Sequence, residues 1–157
     1  MRSKRVLIAD DDPSIRRLLM TLVKREGIEL DSAEDGVEAI EKLEKNDYGL
    51  ILLDLMMPRI NGFGVIDYLR DHSRPQKPIV FIISAYADHT YRTTDATIVS
   101  GVLHKPFDVD EVGTLIRLIV KGGDDAVAAA LRNSKTWSIR EFVEASEGLL
   151  RKSSNDS

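Results

Sequence analysis

The stretch Val6-Leu7-Ile8-Ala9-Asp10-Asp11-Asp12-Pro13 passes from an unbroken apolar run to three acids and a proline. An apolar run without polar alternation is expected of a strand buried on both faces of a parallel sheet. The acids then stand at the carboxyl end of that strand, with Asp12 placed to cap a helix and Pro13 at its first position. Behind them Ile15, Leu18, Leu19, Leu22 and Val23 recur at helical spacing. The stretch therefore reads as strand, acidic turn and helix.

The same alternation continues along the chain. Gly49 to Leu53 and Ile79 to Ile83 predict two further central strands, and the weaker runs Ile28 to Ser32 and Val102 to His104 predict edge strands. Asp35 with Glu38, and Asp108 with Glu111, form capping pairs before apolar stripes (Val37, Ile40, Leu43; Val112, Leu115, Ile116, Ile119, Val120). Phe63, Ile66 and Leu69 after Asn61-Gly62 predict another helix, whereas Asp88 to Ser100 is crowded with threonines and predicts a weak or irregular one. Strands separated by helices imply right-handed crossovers, so the fold class is α/β with a doubly wound, five-stranded parallel sheet. In such sheets chemistry gathers at the carboxyl ends of the strands.

Composition narrows the function. A chain of 157 residues, 43% hydrophobic and 31% charged, fits one domain with a modest extension. The net charge of −4 offers no basic excess for counterion release, so direct nucleic-acid binding is not expected. Absence of cysteine excludes disulfides and thiolate chemistry, leaving carboxylates, carbonyls, water and three histidines for any metal. After Met1 to Arg5 only four apolar residues precede Asp10, too few for a signal-peptide core or a membrane span, so a cytoplasmic location is expected.

Four predicted strand ends carry the chemistry. Asp10, Asp11 and Asp12 end the first, Asp54 the third, Ser84 the fourth and Lys105 the fifth. If the first and third strands are neighbours, their carboxylates converge and raise at least one pKa unless a divalent cation neutralises them. Singly these residues have ordinary readings: a helix-capping acidic cluster, a strand-end serine, a lysine in a surface salt bridge. Jointly, a metal, a hydroxyl and an ammonium around one carboxylate are what transfer of a phosphoryl group to Asp54 requires.

On Val6 to Pro13, Asp54-Leu55-Met56-Met57-Pro58-Arg59-Ile60-Asn61-Gly62, Ser84-Ala85 and Lys105-Pro106-Phe107, in this order, the chain resembles the receiver domain of two-component response regulators over residues 4 to 121. The resemblance implies a flavodoxin-like sheet of order 2-1-3-4-5 and a phosphoryl group taken by Asp54 from a histidine kinase or phosphotransfer protein. It also implies that Asp11, Asp54 and the backbone carbonyl of Met56 bind Mg²⁺, with Asp10 acting through metal-bound water. Ser84 and Lys105 would contact the phosphoryl oxygens, and a cis bond before Pro106 is expected. The implied function is a stand-alone response regulator in a phosphorelay, signalling to an unknown downstream protein by conformational change. It is not a conventional enzyme beyond Mg²⁺-dependent self-phosphorylation and autodephosphorylation. The alternative is a pseudo-receiver that binds partners without phosphorylation. A haloacid-dehalogenase-type phosphatase would want a second Asp where Met56 stands, and no phosphate-binding glycine loop follows the first strand to suit a flavodoxin-like cofactor binder.

The chain departs from the family's pattern at Val102, where many members carry an aromatic, and the Ser84 to Lys105 interval is short. Met56 and Tyr86, each two residues after a site residue, are at positions expected to flank access to the acceptor and tune hydrolysis, with simple rim packing the ordinary alternative. His104 is expected to face away from the site because it alternates with Lys105, and His72 and His89 have no ligand partners at metal spacing. After Gly122-Gly123 residues 122 to 157 predict a helical extension rather than an independent domain, with helices near Asp124 to Asn133 and Ser138 to Lys152 and a frayed Ser153 to Ser157. Ser138 and Glu141 pair as a cap, and the stripe Ile139, Phe142, Val143, Leu149 and Leu150 must be buried, on the chain's own body beside Trp137, in a homodimer through the C-terminal helices, or against a docked partner.

Overall fold

Val6–Ala9 (β1), Leu50–Asp54 (β3) and Ile79–Ser84 (β4) are buried along their whole length, as their unbroken apolar composition requires. A computed structural model describes residues 3–85, 95–121 and 137–155. With Leu30–Ala33 (β2), Gly101–His104 (β5) and Trp137–Ser138 (β6), these strands form one parallel sheet of order β2-β1-β3-β4-β5-β6. The expected order of the first five holds. The expected count of five does not, because the extension supplies β6, which pairs Trp137 with Gly101 and Ser138 with Val102. Two residues are too few to show alternation, so nothing in the sequence marks this strand.

Strand residues alternate between two apolar layers. Val6, Ile8, Leu50, Leu52, Phe81 and Leu103 face a cluster with Pro13–Arg25 (α1), Val109–Ile116 (α4) and Ile139–Asn155 (α5). Leu7, Ile51, Leu53, Val80, Ile82 and Val102 face the other cluster, with Gly36–Lys45 (α2) and Gly62–Asp71 (α3). Asp12 caps α1, accepting from Ser14 N–H at 2.8 Å, and Asp108 does the same for α4, accepting from Asp110 N–H at 2.8 Å. A π-helical turn, Arg117–Lys121, continues α4.

The helix expected over Asp88 to Ser100 is not formed where it is described. Ile98 and Val99 both donate to the Asp95 carbonyl, closing a turn, and Asp95 accepts from Thr97 N–H at 2.9 Å. Asp and Thr side chains compete here with the helical backbone. Residues 88 to 94, the expected helix at Asp124 to Asn133, Tyr86 and His89 lie outside the described residues.

In the extension Ser138 Oγ accepts from Glu141 N–H at 3.1 Å, and Glu141 Oε2 accepts from Ser138 N–H at 3.2 Å. This reciprocal cap starts α5 as expected. Phe142 is fully buried and meets the Phe81 ring edge-on at 5.2 Å, with Trp137 and Ile139 also buried. The described front of α5 therefore packs within the chain. No helix among the described residues is long and apolar enough to cross a membrane.

Candidate active site

Register brings the acids together. Ala9 of β1 pairs with Leu53 of β3, so the next residues, Asp10 and Asp54, leave the sheet side by side. Both are buried, Asp10 at 0% and Asp54 at 4% exposure. Asp10 Oδ1 accepts from Asp12 N–H at 2.9 Å, and Asp54 Oδ1 accepts from Met56 N–H at 3.2 Å. Their other oxygens face one ammonium: Lys105 Nζ lies 3.4 Å from Asp10 Oδ2 and 3.7 Å from Asp54 Oδ2. Lys105 is held after β5 by its N–H on the Ser84 carbonyl at 2.9 Å, and the Lys105-Pro106 bond is cis. Ser84, buried, ends β4 opposite His104.

Asp54 takes up its proton far more readily than an ordinary carboxyl, with its pKa pushed up to about 7. Burial is the largest cause and the Asp10 charge the next; the Met56 N–H and the Lys105 ammonium pull the other way. Asp10, Asp11 and Asp54 each place a carboxylate oxygen within 4.8 Å of the others. Asp10 Oδ2, although buried, accepts no hydrogen bond. Three carboxylates against one ammonium, with a buried oxygen among them that accepts no hydrogen bond, suit a hard divalent cation.

The local sequence allows this approach. Asn61 caps α3, accepting from Gly64 N–H at 3.1 Å, and Gly62 N–H closes on the Leu55 carbonyl at 3.0 Å. A Cβ on Gly62 would lie 2.5 Å from the Asp54 carbonyl oxygen, so only glycine lets α3 begin against the end of β3.

Asp10, Asp11, Asp54 and Lys105 thus meet, with Ser84 on the adjoining strand end. Met56 engages Asp54 through its N–H, while its side chain is 69% exposed. His104 is exposed, and His72 stacks on Tyr68 with ring centroids 4.2 Å apart. Sequence reasoning misses three participants. Arg16 Nη1 donates to the Asp10 carbonyl at 2.9 Å, and Arg59 donates to Asp35 at 2.6 and 2.8 Å. No spacing rule announces the Arg59–Asp35 pair, since it joins two loops; for Arg16 the sequence offers its place in the first turn of the helix that follows the acids.

Residues 6–117 match the family model of the response regulator receiver domain, and the chain belongs to that family, the receivers of two-component signalling. It is 35% identical over 127 residues to the probable transcriptional regulator ycf27 of Porphyridium aerugineum, covering 80% of this chain and 52% of that one. It is 36% identical over 120 residues to the transcriptional regulatory protein SrrA of Staphylococcus aureus, covering 76% and 48%. The chain spans about half the length of these curated relatives. Among solved structures, the Francisella response regulator 1452 receiver domain superimposes with a TM-score of 0.66 at 30% identity, over 74% of this chain and 96% of that one. The response regulator TrrA of Thermotoga maritima, solved in complex with Mg²⁺-BeF, gives 0.64 at 31%, over 76% and 99%.

Proposed function

We propose that Asp54 accepts a phosphoryl group from a phosphohistidine on a histidine kinase or phosphotransfer protein. The carrying observation is the convergence of Asp10, Asp11 and Asp54 with the Lys105 ammonium at one end of the sheet. An Asp54 carboxylate oxygen attacks phosphorus, the P–N bond breaks, and its electron pair returns to the leaving imidazole. Lys105 and the Ser84 hydroxyl are read as donors to the phosphoryl oxygens, where charge is concentrated during transfer. Asp11, Asp54 and the Met56 backbone carbonyl would hold Mg²⁺ with Asp10 reaching it through water, and the ion would offset the negative charge of the carboxylates and the phosphoryl oxygens. Hydrolysis reverses the modification: water attacks phosphorus, the Asp54 O–P bond breaks, inorganic phosphate leaves and a proton passes to solvent.

We read residues 4–121 as a cytoplasmic receiver carrying the 122–157 extension, with its output by conformational change and contact with a downstream protein. Its net charge of −4 supports protein contact over direct nucleic-acid binding, and the burial of Phe142 supports an extension packed on its own body rather than a homodimer interface. Incubation with Mg²⁺ and a small phosphodonor, followed by intact-mass measurement, tests the reading. The parent gains one phosphoryl group only with Mg²⁺ present, and Asp54→Asn gains none because an amide is too weak a nucleophile. A parent that stays unmodified would make the chain a pseudo-receiver.

A further inference from the structure

The loop after β3 is fastened to the start of α2. Gly36 N–H donates to the Ile60 carbonyl at 2.8 Å, and a Cβ on Gly36 would run into that same carbonyl, so the approach depends on glycine. Next to it, Asp35 Oδ2 accepts from Arg59 Nε at 2.8 Å and Nη2 at 2.6 Å. The other oxygen of Asp35 caps α2, accepting from Glu38 N–H at 2.9 Å. The Glu38 N–H and then the Arg59 guanidinium hold this carboxyl below the usual range against its burial.

Arg59 has φ +63°, a left-handed conformation that its Cβ disfavours, and is the one non-glycine residue so placed among the described residues. Its side chain is 60% exposed, so the ion pair adds little to global stability; its weight is geometric. A disfavoured backbone persists where the surroundings over-determine it. Here the turn over residues 55 to 62 is closed at its ends by Gly62 N–H on the Leu55 carbonyl and held at its crest by Arg59 and Ile60. Met56 lies on that turn, with its N–H on Asp54 Oδ1.

We propose that the Asp35–Arg59 pair positions the metal side of the acceptor site, setting the place of Met56 and its carbonyl by holding the turn against α2. The inference rests on the Asp54 reading above. Neither side chain touches the reacting atoms; both are positioning residues that act through the backbone between Arg59 and Met56.

Mg²⁺ titration of the unphosphorylated full chain, followed through the amide resonances of residues 10, 11 and 56, tests the assignment. Asp35→Asn is the cleanest variant, because asparagine caps a helix as well as aspartate does and only the charged partner of Arg59 is lost. Asp35→Asn and Arg59→Ala are each expected to weaken Mg²⁺ binding on the order of tenfold, as loss of an outer support of a metal site does. The double variant should be no weaker than either single one, and Arg59→Lys should recover most of the loss. The melting temperature of metal-free Asp35→Asn should stay near the parent's, which separates positioning from a general structural role. Parent-like Mg²⁺ affinity in both single variants, or losses that add in the double variant, would overturn the positioning role alone. A parent that binds no Mg²⁺ and accepts no phosphoryl group would overturn the Asp54 reading beneath it.

Discussion

In the metal-free protein the proton on Asp54 couples the site to stability. Asp10, Asp11 and Lys105 face this carboxyl, and burial with the Asp10 charge pushes its pKa up to about 7, whereas in an unfolded chain a carboxyl loses its proton near pH 4. Between those values the folded state binds more protons than the unfolded one, so this group's contribution, full below about pH 4, is lost as pH rises through about 7. Asp54→Asn removes the titration. Without Mg²⁺ its melting temperature should rise relative to the parent's between pH 5 and pH 8, by a few degrees at roughly 2–4 °C per kcal/mol. A difference that stays constant over this range would contradict the protonated, buried Asp54. The acids and Lys105 are legible in the sequence because they stand at or just beyond the ends of apolar runs. Asp35 and Arg59 are not, because their meeting depends on how closely two loops approach in the folded chain, a matter of Gly36 fitting against Ile60.

Among the elements, β5 joins the extension to the site. Its first residues, Gly101 and Val102, pair with β6, and Lys105 follows its last. Val102 is buried, packed with the α2 and α3 side of the sheet, in the place where the family's aromatic is often found. The extension contributes its share of the core through Phe142 and the buried Ile139 and Trp137. Phe142→Ala should destabilise the protein by about 3–5 kcal/mol, the cost of emptying a fully buried aromatic site, and lower the melting temperature on the order of 10 °C, with the mass per particle in sedimentation unchanged. A fall from dimer to monomer at unchanged melting temperature would instead place the helix in an interface between copies. The Ser138–Glu141 cap and the apolar positions 139, 142 and 143 are readable in sequence, since capping and helical period are local. Strand β6 is not, because its only determinant is an open strand edge on β5. The irregular stretch before β5 is legible as a lack of stripe, and Asp95 with Thr97 shows the reason: side chains that take the backbone's hydrogen bonds.

At the scale of the molecule, a parallel sheet between two apolar layers fixes where four strand ends open, and the acids, the hydroxyl and the ammonium all stand on that rim. The family match over residues 6–117 covers this body and leaves the extension outside it. The proposed chemistry converts one carboxylate of this rim, Asp54, to an acyl phosphate. Borohydride reduction converts an aspartyl phosphate to homoserine, so peptide mapping after Mg²⁺-dependent phosphorylation and reduction locates the acceptor directly. Homoserine at position 54, and at none of positions 10, 11 or 12, is the predicted result; a label on any other residue, or none in a protein shown to be folded and Mg²⁺-bound, would contradict it.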